Sequence, residues 1–307
     1  MKIQTLLFYF FLFLIIGCQE DKTEKKVDKS LLNVKTAISL DCPKYIAENK
    51  QNNLNISILL DLSDRIIDER IVEKDTAYLS SIAETFIAHI KSKKLILLQD
   101  RMQLFFNPEP SNGKINEIAK DLQIQFTKNS PKAQISLTEE LYRKKPIILY
   151  KLAKQDATKP EDYPGSDIWR FFKDDVKDYS ISDCHRNILI VLTDGYMYYD
   201  KTEMNEKNHT SYLTPISLKK LNLNNSNWKK KIENNKLGFI KANEGLENLE
   251  VLVLGVNSVN PENPYTLDII ETYWTNWLSD MGVKKYKVKN SDISSNVSKV
   301  IKDFILN

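Results

Sequence analysis

Two stretches constrain this chain more than any other part of it. Asn55-Ile56-Ser57-Ile58-Leu59-Leu60 and Asn187-Ile188-Leu189-Ile190-Val191-Leu192 are short β-branched and aliphatic runs. Each stops abruptly on polar residues, Asp61-Leu62-Ser63-Asp64 in one case and Thr193-Asp194-Gly195 in the other. Successive apolar side chains point to opposite faces of a strand, so these runs belong to strands covered on both sides. A sheet of that kind carries helices above and below, which parallel strands joined by crossover helices provide.

The rest of the chain supplies the partners. Ile71, Tyr78, Ile82, Phe86 and Ile90 recur at helical spacing, which predicts a long helix over Asp68 to Ile90. Leu95 to Leu98 and Met102 to Phe106 read as a second and third strand joined by a tight connection. Ile135 to Leu152 is helical in pattern, with a break or kink expected at Pro146. A loop over 156–166, ending at Pro164-Gly165-Ser166-Asp167, leads into a helix from Ile168 to Val176 capped by Ser166 or Asp167. Leu249 to Val256 is a further buried strand, followed by a helix over Leu267 to Leu278, a short edge strand at Lys285 to Val288 and a closing helix from Ile293 to Leu306. The alternation predicts one α/β domain over roughly 54–307. It is doubly wound, with a mostly parallel central sheet, helices on both faces, and insertions at about 107–165 and 200–245.

The N-terminus obeys different rules. After Lys2, an unbroken apolar run from Leu6 to Ile16 has signal-peptide length and ends at Ile15-Ile16-Gly17-Cys18. This resembles the lipobox of bacterial lipoproteins, although a small residue is usual where Ile16 stands. The resemblance implies a signal peptide over 1–17, lipidation of Cys18, and attachment to a membrane of the cell envelope through that anchor alone. Residues 18–53 then read as a tether, because Asp21-Lys22-Thr23-Glu24-Lys25-Lys26 has too little apolar surface to order itself. A patch around Leu31, Val34 and Ile38 is set to form a short helix against the domain.

Two further cysteines remain, in a compartment that permits disulfides. Cys42 lies upstream of the first strand and Cys184 upstream of the fourth. If those strands are parallel neighbours, both cysteines sit at one end of the sheet and a Cys42–Cys184 bridge is expected; two buried free thiols are the alternative. The 44 basic and 41 acidic residues nearly cancel, which argues against a nucleic-acid partner.

Parallel sheets bind ligands at the carboxyl ends of strands, where the chain order reverses. Three separated segments place oxygen-bearing side chains there: Asp61-Leu62-Ser63, Gly165-Ser166-Asp167 and Thr193-Asp194-Gly195. In this they resemble the von Willebrand factor type A family. Its metal-ion-dependent adhesion site combines an Asp-x-Ser-x-Ser motif after strand one, a loop threonine and an aspartate after strand four. Asp61 and Ser63 match the first motif, Ser166 stands where the threonine would be, and Asp194 matches the last element. The resemblance implies a divalent cation (magnesium, manganese or calcium) held by Asp61, Ser63, Ser166 and Asp194, and a protein partner that presents a carboxylate to it. It implies binding rather than catalysis. Carboxylate and hydroxyl oxygens suit such hard ions, and no histidine or cysteine cluster favours zinc.

One position departs from the family. Arg65 replaces the second serine and cannot coordinate a cation. Pointed inward it would oppose the metal or replace it; pointed outward it would leave a water in the missing position. Arg65, Asp167, Tyr196 and Tyr198 are read as a partner-binding rim, with Asp64 and Asp167 as spare carboxylates. A metal-assisted phosphohydrolase is the enzymatic alternative, although Ser63 stands where such enzymes need a second acid. A structural envelope protein with a degenerate, metal-free site is the other. Trp274, Trp277 and Tyr273 are read as core, and His89, His185 and His209 as structural or exposed. Lys229-Lys230-Lys231 reads as a solvated helix face.

Overall fold

The computed structural model describes Cys42 and residues 48–307 apart from 156, 260 and 261. The signal peptide, Cys18 and nearly all of the tether expected from the sequence lie outside these residues. Strand β1 (Leu54–Leu60) is buried along its whole length, as is β4 (Arg186–Leu192). Ile56, Ile58 and Leu60 of β1 join the core on one face with Ile188, Ile190 and Leu192 of β4, whereas Leu59, Leu189 and Val191 join the core on the other. The aliphatic residues of these runs therefore serve two layers at once.

Between them the chain forms α1 (Glu69–Ser92), β2 (Gln99–Phe105), α2 (Gly113–Asp121), β3 (Ile124–Thr127) and α3 (Ala133–Gln155). A helical stretch, α4, follows as Ile168–Arg170, a π turn at Phe171–Asp175, and Val176–Ser180. After β4 come β5 (Asn205–Glu206), β6 (His209–Thr210), α5 (Pro215–Lys220), α6 (Trp228–Asn235) and β7 (Gly238–Phe239). β8 (Leu249–Val256), α7 (Thr266–Asp280), β9 (Lys285–Asn290) and α8 (Ser294–Leu306) complete the domain. The main sheet has six strands in the order β3-β2-β1-β4-β8-β9, all parallel except β3. This is a doubly wound α/β fold with a mostly parallel central sheet.

Three expectations are corrected. Leu95–Leu97 is a 3-10 turn rather than a strand, and the strand beside β1 is Gln99–Phe105. The third strand is Ile124–Thr127, so the segment read as an insertion at 107–165 supplies the antiparallel edge of the sheet and α3. α3 continues through Pro146, which is buried against the core, so packing holds the helix where the proline removes one ladder hydrogen bond.

The polar stretch 200–245 is ordered. Met197 and Leu213 exchange backbone hydrogen bonds of 2.9 and 2.7 Å, and β5, β6 and β7 form a small three-stranded sheet. Phe239, Trp228 and Ile232 then join the core around α7, where Trp274, Trp277 and Tyr273 are also buried. At the opposite end from the proposed site, Cys42 and Cys184 are joined by a disulfide with Cα atoms 5.4 Å apart. Nearby, Arg186 pairs with Glu250 at 2.7 Å and donates to the last carbonyls of α8, on Phe304 and Ile305.

Candidate functional site

The sheet order sets the site. β1 lies between β2 and β4; its crossover runs to one side and that of β4 to the other, so the crevice beyond their carboxyl ends is the switch point of the fold. Asp61 and Asp194 follow these two strands. Asp61 N–H donates to the Leu192 carbonyl at 3.0 Å, and Thr193 N–H to the Leu254 carbonyl at 3.1 Å, so strand pairing continues into the loops and holds them in register.

Side chains then join the loops. The Thr193 hydroxyl donates to Asp61 Oδ2 at 2.8 Å, and the Ser63 amide to Asp61 Oδ1 at 2.9 Å. The Tyr196 amide donates to Asp194 Oδ1 at 3.0 Å. Gly195 sits at φ +90°, and a Cβ there would come within 2.7 Å of Ile270, so the turn carrying Asp194 needs glycine for both conformation and space. The third segment arrives by main chain: Gly165 N–H donates to the Leu62 carbonyl at 3.2 Å. Residues 61–63, 165–166 and 193–194 therefore meet at one end of the sheet. Ser63 carries no helix-capping bond on its side chain, and Ser166 is buried with a hydroxyl that has no hydrogen-bond partner.

The electrostatics are unbalanced. Burial and the charge of Asp61 push the Asp194 carboxyl up from 3.8 to about 7, and Arg65 only partly opposes this. Asp64 is raised as well, by burial and by Asp61. Acidic side chains held this way lack a counter-charge, and a bound cation would supply it. Among the described residues no cluster of three or more His, Cys, Asp or Glu forms a metal cage, so a cation here would rest on two carboxylates, hydroxyls and water. Each oxygen of Asp61 accepts one hydrogen bond and keeps a lone pair free. The donor set and the unpartnered Ser166 hydroxyl fit a hard divalent ion.

Arg65 points inward. Its guanidinium is buried and forks onto Asp75 of α1 at 2.7 and 3.2 Å, while Nη1 also donates to the Asp61 carbonyl at 3.2 Å. Tyr150 of α3 donates to Asp75 Oδ2 at 2.7 Å. Gly255 sits at φ +94°, and a Cβ there would lie 3.1 Å from the Thr193 carbonyl, so this turn beside Arg65 favours glycine. Burial alone would lower the Arg65 pKa, but Asp75 and Asp61 hold it above its usual range. The positive charge is paired chiefly with Asp75 and acts more weakly on the two site carboxylates, and Nη1 fixes the Asp61 main chain from below.

The rim expectation is corrected for two residues. Arg65 belongs to the core beneath the site. Asp167 is buried too: its carboxylate accepts from the Arg170 amide at 3.1 Å and the Thr202 hydroxyl at 2.8 Å, which caps α4 and ties down the segment after Tyr199. It offers no spare ligand. Tyr196 is half-buried and Tyr198 is exposed, its ring edge-on to Tyr212. The residue that sequence reasoning missed is Asp75. Its signal was present, because Asp75 falls on the apolar stripe of α1 between Ile71 and Tyr78 and is fully buried.

No family model matches the chain, and the comparison with curated proteins gave no match. Among solved structures, it is similar to an aerotolerance-related membrane protein of Bacteroides fragilis NCTC 9343, crystallised with multiple mutations to serines. The identity is 12%, the match covers 83% of this chain and 99% of that one, and the TM-score is 0.38. It is also similar to proximal thread matrix protein 1 of the mussel byssus at 13% identity and a TM-score of 0.33, over 83% of this chain and 48% of that one.

Proposed function

We propose that this chain is a cell-envelope binding module that captures a protein partner through a divalent cation at the carboxyl ends of β1 and β4. Asp61 and Asp194 would hold the ion, with the Ser63 and Ser166 hydroxyls completing the protein ligands. The carrying observation is the meeting of two carboxylates, one pushed up to about 7, with a buried hydroxyl that lacks a partner.

The charge balance favours a Lewis-acidic ion that accepts an outside carboxylate. Two carboxylates neutralise a divalent cation, and the Arg65–Asp75 pair beneath is neutral in itself. The hydroxyls add oxygen without charge, so the ion stays receptive to one more anionic ligand. Tyr198, exposed beside the Asp194 loop, would supply contact area to the partner.

Calorimetric titration of the protein with magnesium, manganese and calcium tests this. Saturable heat from at least one ion is expected, reduced by Ser166→Ala and lost in Asp61→Asn. An absence of heat from all three would remove the cation, and heat that survives Asp61→Asn would place it elsewhere.

A further inference from the structure

At the end of the sheet away from the proposed site, three consecutive aliphatic side chains face solvent. Leu95 is 50%, Ile96 72% and Leu97 45% exposed, on the turn between α1 and β2. A run of three consecutive exposed aliphatic residues costs solubility and marks a place where something docks. The turn makes no demand for it, since a tight connection is ordinarily built from polar residues.

Basic side chains surround the run. Lys94 precedes it and is exposed, and Lys91 is exposed on the last turn of α1, where Glu139 pairs with it at 3.0 Å. Gln99 pairs with Thr127, so the connection from β3 to α3, with exposed Lys128 and Lys132, leaves from this same end. Lys93 takes no part, because it is tied to Asp100 at 2.7 Å. Aliphatic residues ringed by lysines match the border of an anionic bilayer, where the chains enter the acyl boundary and the ammonium groups stay among the headgroups.

The covalent path points the same way. His185 meets the Gln99 carbonyl at 2.7 Å, one residue past Leu98, and its neighbour Cys184 is bonded to Cys42. Cys42, held through that bond, lies at this same end of the sheet.

We propose that the Leu95-Ile96-Leu97 turn and its flanking lysines form a membrane-docking surface for a bilayer rich in anionic lipid. On that bilayer the domain would stand with the Asp61 and Asp194 end facing away. This rests on the reading that the chain is held at a membrane, but not on the cation.

The test separates docking from anchoring. The chain from Gln19 onward carries an N-terminal histidine tag, which tethers it to nickel-chelating vesicles whether or not Cys18 is lipidated in the cell. With Cys42 and Cys184 in a disulfide, Ile96→Cys provides a single thiol for an environment-sensitive fluorophore; Ile216→Cys, 70% exposed on α5, is the control. On vesicles containing phosphatidylglycerol, the probe at 96 is expected to shift to the blue and to be quenched by brominated acyl chains, while the probe at 216 stays in water. Lys91→Glu with Lys94→Glu is expected to weaken partition of the untagged chain by on the order of tenfold. A probe at 96 that remains in water on these vesicles would overturn the proposal. So would one already shielded without vesicles, which would mean that the chain's own segment or a second copy covers the turn. Equal shielding on phosphatidylcholine alone would overturn the anionic surface.

Discussion

Replacing Asp194 by Asn should stabilise the metal-free protein at neutral pH, although it removes a residue of the proposed site. In the fold the carboxyl titrates at about 7 against an ordinary value of 3.8, because burial and Asp61 oppose its charge. At about 1.4 kcal/mol per pH unit, the charged form costs the fold up to ~4 kcal/mol; water reaching this half-buried side chain reduces that to about 1 to 3 kcal/mol. The folded pKa is the higher one, so the cost is absent below about pH 4, grows between 4 and 7, and is complete above 7. Asn keeps an acceptor for the Tyr196 amide and carries no charge. Thermal unfolding in chelator at pH 8 should therefore show the variant several degrees above the wild type, with the two converging near pH 4. A variant that melts lower at pH 8, or that keeps the wild-type slope between pH 4 and 7, would refute the picture of two opposed carboxylates.

Asp75→Asn should cost about 3 to 5 kcal/mol by urea unfolding, because it leaves the buried Arg65 guanidinium without its counter-charge; Arg65→Met with Asp75→Leu should recover most of the loss. A near-neutral Asp75→Asn would mean that Arg65 does not face inward. His185, pushed down to about 4 by burial and by Arg101, is neutral in the fold, donates to the Gln99 carbonyl and accepts from Ser182. Its folded pKa is the lower one, so the wild type loses up to about 3 kcal/mol as pH falls from 6.5 to 4. The unfolding free energy of His185→Gln should lack that part of the acid slope. Replacing Cys42 and Cys184 by Ser opens a loop with a sequence separation of 142 and should cost about 2 to 5 kcal/mol, read by denaturation without reductant.

The parts of the fold visible in the sequence are those where burial leaves no choice of side chain. β1, β4 and β8 are covered on both faces, so most of their residues are aliphatic and their ends fall within a residue of those expected. β2 is half-covered, and Asp100, Arg101 and Gln103 interrupt its pattern, while the more apolar Leu95–Leu97 beside it turned out to be surface. β3 has only four residues, too few for alternation to stand out. The small sheet inside 200–245 is held by main-chain pairing of two-residue strands, which composition does not encode.

The site divides in the same way. Asp61, Ser63 and Asp194 were read from their places at the ends of the clearest strands, and Ser166 from the glycine turn before the helix that Asp167 caps. The direction of Arg65 was not. It depends on Asp75 ten residues later and on Tyr150 of α3, and a local motif says nothing about a partner that arrives from another helix.

A crystal of the protein soaked in manganese and measured at the manganese absorption edge tests the central claim most directly. An anomalous peak is expected between the carboxylates of Asp61 and Asp194, within ligand distance of the Ser166 hydroxyl, and none should appear in Asp194→Asn. Crystals that diffract well and show no peak there, or whose peak lies elsewhere, would contradict the account.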